Sequence, residues 1–122
     1  MKYMLLTYLD EKAWASLSEA AQQEIMAEKR PYVEQLLAGK KFLGGAPLQH
    51  TSAAATVRLR DGKPLVTDGP FAETREQLGG YTLIDAKDRE EAIRIAAGFL
   101  GTKIQVIIEV RAVVEQKGLP TH

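Results

Sequence analysis

The sequence predicts an α+β fold, and three observations point to it. Short, mostly apolar runs recur at residues 2–9, 41–49, 80–86 and 104–114, and the first is too brief for a helix. Two other segments, 18–38 and the stretch after Asp88, carry apolar residues at helical spacing. An Asp61-Gly62 pair sits between two alternating runs and marks a hairpin.

Residues 2–9 (KYMLLTYL) read as the first strand, with Tyr3, Leu5 and Leu9 pointing one way and Met4, Leu6 and Tyr8 the other. Both faces are apolar, as in a central strand whose sheet is covered on both sides. A helix over 18–38 follows from the spacing of Leu17, Ala21, Ile25, Tyr32 and Leu36, and Gly39 is its stop. Ser16 with Glu19 forms a capping-box pattern, and Ser18 is the alternative cap. Pro31 removes one helical hydrogen bond, so a kink is expected near 27–31.

Residues 41–49 form an irregular strand bent by Gly44, Gly45 and Pro47. The hairpin runs from Thr56 to Arg60 and from Pro64 to Thr67, and alternation of Val57 and Leu59 with Arg58 and Arg60 leaves one face wet. Residues 69–77 read as a loop and Gly80–Ala86 as a strand. Asp88 caps a second helix with Glu91 three residues on, and its expected inward face is Ile93, Ala96, Ala97 and Leu100. In the last strand Ile104, Val106, Ile108 and Val110 share one face. The order is β-α-β, an inserted hairpin, then β-α-β. That is a ferredoxin-like split βαβ sandwich with both helices on one face of an antiparallel sheet. One layer of helices leaves the other face of the first strand uncovered, and a second copy, giving a homodimer, is the expected cover.

Length and composition bound the function. Residues 1–122 have room for one domain, and 45% hydrophobic with 26% charged residues is globular composition, which excludes disorder. Sixteen basic and sixteen acidic residues cancel, so no overall field draws in nucleic acid or an anionic membrane. The absence of cysteine removes disulfides, thiolate catalysis and zinc–sulfur sites, and two histidines, His50 and His122, give no multi-histidine metal site. No metal and no cofactor is expected. The apolar start is broken by Thr7 and ended by Asp10 and Glu11, with no cleavage site, and no run approaches the ~20 apolar residues of a membrane span. A cytoplasmic location follows as an expectation.

The segment Val66–Tyr81, VTDGPFAETREQLGGY, contains Asp68-Gly69-Pro70-Phe71. With MKYMLLTY at the start, the RDGK turn, LGGYTLIDAKDREEA and IIEVRAV, it closely resembles the DGPF-domain proteins of the YCII-related family over nearly the whole chain. The resemblance implies a ferredoxin-like fold and a dimeric α+β barrel, with no securely established enzymatic activity. Better-studied YCII-like proteins are associated with a His–Asp pair whose histidine comes from the first helix region. Residues 18–38 here contain no histidine, so that pair is not carried over.

Asp68 and Glu73 are the candidate catalytic residues, two carboxylates on a loop that rigid backbone can aim into a cleft. The alternative for Asp68 is turn chemistry shared with Gly69 and Pro70, and for Glu73 a solvated local pair with Arg75. Gln77-Leu78-Gly79-Gly80 is no phosphate loop, because no lysine follows and a strand comes next. Tyr8, Tyr81 and Arg111 are candidate ligand-binding residues, and Glu109 with Arg111 is either a ligand-facing pair or an exposed edge. His50 has no evident partner and reads as an exposed loop histidine. Two functions of different class remain open. One is binding of a small polar ligand, with or without catalysis, in a cleft between the sheet, the first helix and the DGPF loop. The other, suggested by the resemblance alone, is a regulatory or interaction module linked to an extracytoplasmic-function sigma factor. A dimer that needs no site is a third.

Overall fold

Strand β1 (Lys2–Asp10) owes its central position to having no polar face, and it hydrogen-bonds on both edges. A computed structural model describes residues 1–120; His122 lies outside them. The other strands of the main sheet are β2 (Phe42–Pro47), β5 (Glu76–Asp85) and β6 (Val106–Ala112), in the order β2-β5-β1-β6, all neighbours antiparallel. With the helices, this is the predicted ferredoxin-like order. The inserted hairpin, β3 (Ala55–Arg60) and β4 (Lys63–Asp68), makes a separate two-stranded sheet. Its turn has positive φ at both Asp61 (52°) and Gly62 (76°), the left-handed pair that a two-residue hairpin requires.

The helices are α1 (Glu11–Ala15), α2 (Glu19–Glu28), α3 (Arg30–Ala38) and α4 (Arg89–Gly98). Asp10 ends β1 and caps α1, a short helix that the periodicity did not predict, by accepting from the amides of Lys12 and Ala13. Ser18, not Ser16, caps α2 through the Ala21 amide. The expected kink is a full break. Lys29 is at once the C-cap of α2 and the N-cap of α3, and Pro31 falls in the first turn of α3, where its missing N–H is harmless.

Tyr3, Leu5, Ile84 and Ala86 pack under Leu36 of α3 and Ala92, Ile95 and Ala96 of α4. The inward face of α4 is therefore Ala92-Ile95-Ala96, not Ile93, Ala97 and Leu100, and Ile93 is 41% exposed. The packed stripe is the expected one shifted back by one position, so it keeps only Ala96 of the expected set and brings in Ala92, Ile95 and the partly buried Phe99. The segment read as a loop shortens too. β5 begins at Glu76 and carries Gln77 and Leu78 into the ladder across a bulge opposite Thr7 and Tyr8. β6 starts at Val106, so Ile104 lies before it.

The hairpin departs most from expectation. Val57, Leu59 and Val66 are all well exposed, Leu59 by 74%, so the apolar face they share is not covered by the other described residues, while Leu65 on the opposite face is half-buried.

Three carboxylates make the fold sensitive to acid. Asp10 is held below its ordinary pKa chiefly by the Ala13 amide and also by Arg75. Glu24 is lowered by Lys103, and Glu91 by Lys41 and the Lys87 amide. Because the folded state lowers all three, their contribution is complete above the ordinary carboxylate range and is lost as pH falls through it. Urea midpoints are expected to be level near neutrality and to drop at about pH 3, with Asp10→Asn flattening part of that drop.

Candidate functional site

Between the sheet and helices α2 and α3 lies an open cleft of about 1100 Å³. Its floor is the helix-side row of β1, including Leu5, Thr7 and Leu9, and its walls include Ile25, Phe42 and Phe99. The sheet is thin here by sequence. Gly79 and Gly80 of β5 add no side chains, and a Cβ on Gly79 would come within 2.2 Å of Leu9 Cδ2. The glycine pair is thus explained by close packing and not by phosphate binding.

Polar groups sit at both ends of the cleft. At the α1 end, Glu11 is 14% exposed and accepts from the Thr51 amide at 2.9 Å and from the Thr51 hydroxyl. His50 Nδ1 accepts from the Ser52 amide at 3.0 Å, which puts the proton of the neutral ring on Nε2. That Nε2 lies 3.7 Å from Glu11 Oε1. His50 therefore has a partner that the sequence did not reveal. The two are 39 positions apart and no motif joins them.

At the other end of α2, Lys29 and Arg30 line the cleft. The Lys29 ammonium donates to the Phe99 carbonyl, and burial pulls its pKa below the usual lysine value. No local pattern singles out this residue, because a lysine at a helix end is ordinarily solvated.

The residues singled out from sequence lie in two other places. Tyr8, Arg111 and Tyr81 belong to the sheet face away from the helices, by their registers with Ile107, Met4 and Leu6. Tyr8 donates to Glu109 Oε1 at 3.0 Å, and that bond is the first cause raising its pKa. Of these three, Tyr81 also borders the cleft. Asp68 ends β4 opposite Ala55, and neither it nor Glu73 lines the cleft. The DGPF turn is held by backbone and Thr56: Gly69 donates to the Ala54 carbonyl at 2.7 Å, and Thr56 Oγ1 donates to the Gly69 carbonyl at 2.8 Å. Gly69 has φ +91°, the left-handed conformation the motif anticipates. Among the described residues the carboxylates of Asp68 and Glu73 have no hydrogen-bond or ion-pair partner, and Arg75 pairs with Asp10 at 3.3 Å instead of Glu73.

A family model of the YCII-related domain matches residues 1–117. The chain belongs to the YCII-related family. An uncharacterized protein of Rhizobium meliloti (strain 1021) is 45% identical to it over 101 residues, covering 79% of this chain and 77% of the relative. This YCII-related chain also has no helix long and apolar enough to cross a membrane among its described residues.

Proposed function

We propose that this YCII-related protein binds a small molecule in the cleft between its sheet and α2, and that it does so as a homodimer. The cleft carries the reading. Its walls are mainly apolar, a few polar groups converge at its ends, and its volume is of the order of a ligand pocket, about 300–1,000 Å³. The site of this reading is the helix side of the sheet, away from the DGPF loop.

The dimer rests on the opposite face. Met4, Leu6, Tyr8, Tyr81 and Ile107 form an apolar surface there, and Val57, Leu59 and Val66 of the arm are exposed apolar residues of a separate sheet. A two-fold contact suits the charges on that face, since Glu109 of one protomer can meet Arg111 of its partner. About 800 Å² per subunit is the scale such a contact needs. Asp68 and Glu73 are left as polar groups of the loop that follows the arm. A second reading, an interaction module of the kind that accompanies an extracytoplasmic-function sigma factor, draws on the exposed arm alone. It gains ground if the protein proves monomeric.

Binding is tested with 8-anilinonaphthalene-1-sulfonate, an apolar aromatic probe. Saturable fluorescence enhancement is expected, and Ala27→Trp, which fills the cleft from α2, should remove most of it without lowering the melting temperature. Undiminished fluorescence in that variant would place the probe elsewhere and sink the cleft reading.

A further inference from the structure

Charge is segregated along the cleft. Glu11 and Glu19 line it near the start of α2, and Lys29 and Arg30 line it just beyond the end of α2. The ten residues of α2 separate the two ends by about 15 Å. Between them the lining is largely hydrocarbon, with Leu5, Ile25, Met26 and Ile108.

The two ends differ in how their charges are compensated. Glu11 is engaged by Thr51 and faced by His50. Lys41, Lys103 and Arg75 each have a carboxylate within ion-pair distance. Among the described residues neither Lys29 nor Arg30 has one; the Lys29 ammonium donates to the Phe99 carbonyl and feels the Glu28 carboxylate only from beyond ion-pair distance. A cation drawn into apolar surroundings with no anion in contact is poorly compensated, and burial lowers the Lys29 pKa by more than the nearby Glu28 charge raises it.

We infer that the cleft takes an amphiphilic carboxylate, its hydrocarbon lying along α2 and its carboxylate held by Lys29, with Arg30 beside it. The inference rests on the cleft reading above and adds the class of ligand. A carboxylate satisfies the Lys29 charge with a charge-assisted hydrogen bond, and the apolar stretch buries a chain of about ten carbons, roughly the length of α2.

Decanoate, decanol and decyltrimethylammonium share one tail and differ in head group, so calorimetric titration of the full chain with each separates tail from head. Decanoate is expected to bind at least about tenfold more tightly than either of the others. Lys29→Met keeps the stem and removes the charge. It should bring decanoate down to the affinity of decanol while leaving decanol unchanged. Equal affinities of decanoate and decanol for the wild-type protein would overturn the carboxylate inference and leave the cleft reading standing, and tighter binding of the ammonium would do the same. If none of the three binds saturably, the cleft reading falls and this inference with it. The wild-type comparison decides the matter even where Lys29→Met does not fold.

Discussion

Leu5→Lys is expected to leave no folded protein, whereas Leu6→Lys is expected to fold as a monomer. Leu5 is 1% exposed and belongs to the cluster under α3 and α4, so a lysine there has neither water nor a partner. An uncompensated buried charge costs several kcal/mol on top of the lost packing, and a domain of this size has only about 5–15 kcal/mol to lose. Leu6 is one residue away and on the opposite face, beside Tyr81 and Glu109. A lysine there keeps its charge in water in the single chain and meets its own copy across the proposed two-fold contact. Far-ultraviolet dichroism and light scattering at micromolar concentration read the two effects separately. A wild-type protein that scatters as a monomer would refute the dimer, and a Leu6→Lys variant that remains a dimer would move the contact off this face.

The second large effect is expected at Gly98, the last residue of α4. A Cβ there would come within 2.2 Å of Tyr32 Cζ and 2.3 Å of its hydroxyl. Tyr32 cannot yield freely. Its hydroxyl donates to the Ile95 carbonyl at 2.8 Å, and its ring meets Phe99 edge-on at 4.9 Å. Alanine gains about 1 kcal/mol of helix propensity over glycine, but overpacking costs about 1–3 kcal/mol and the lost hydrogen bond about 1 kcal/mol more. The expected net loss is about 2 kcal/mol, read as a fall in melting temperature of roughly 5–10 °C. Gly101→Ala is the control, because nothing lies within 4 Å of its added Cβ, and it should change little. Tyr32→Leu combined with Gly98→Ala should recover part of the loss, since the two changes share one contact. Equal melting of Gly98→Ala and wild type would show that the ring moves aside without penalty.

Much of the fold was legible because its signals are local. The short apolar run KYMLLTYL, the Asp61-Gly62 turn and the Asp88–Glu91 cap each declare an element within a few residues. The errors arose where tertiary packing overrode a local pattern. Ile93, Ala97 and Leu100 repeat at helical spacing, yet the sheet takes the stripe one position earlier, Ala92-Ile95-Ala96 with Phe99 partly buried beside it. The strand is expected to begin at Gly80, yet β5 begins at Glu76, and Gln77 and Leu78 pair with β1 beyond the bulge. The candidate site was less legible still. Lys29, His50 and Glu11 come from three separate elements, and no spacing in the chain foretells that α2 and the turn after β2 bring them to one cleft. The DGPF motif drew the eye because it is compact in sequence. Its visible work in the single chain is a backbone turn around Gly69 and Thr56.

The central position of β1 governs how the protein can be made. Lys2 pairs with Asp85 on one edge and Tyr3 with Ala112 on the other, so β1 has no strand neighbour until β5 and β6 have been made after it. At about 5–20 residues per second, the ribosome takes roughly 5–20 s to deliver the residues that flank it. Through that interval a strand apolar on both faces waits without hydrogen bonds, and the helices that emerge meanwhile have no sheet to cover. Pairings of such long sequence separation also place the chain among slow folders, at milliseconds to seconds once released. The nascent chain is therefore expected to expose an apolar strand at the ribosome exit until β5 and β6 follow.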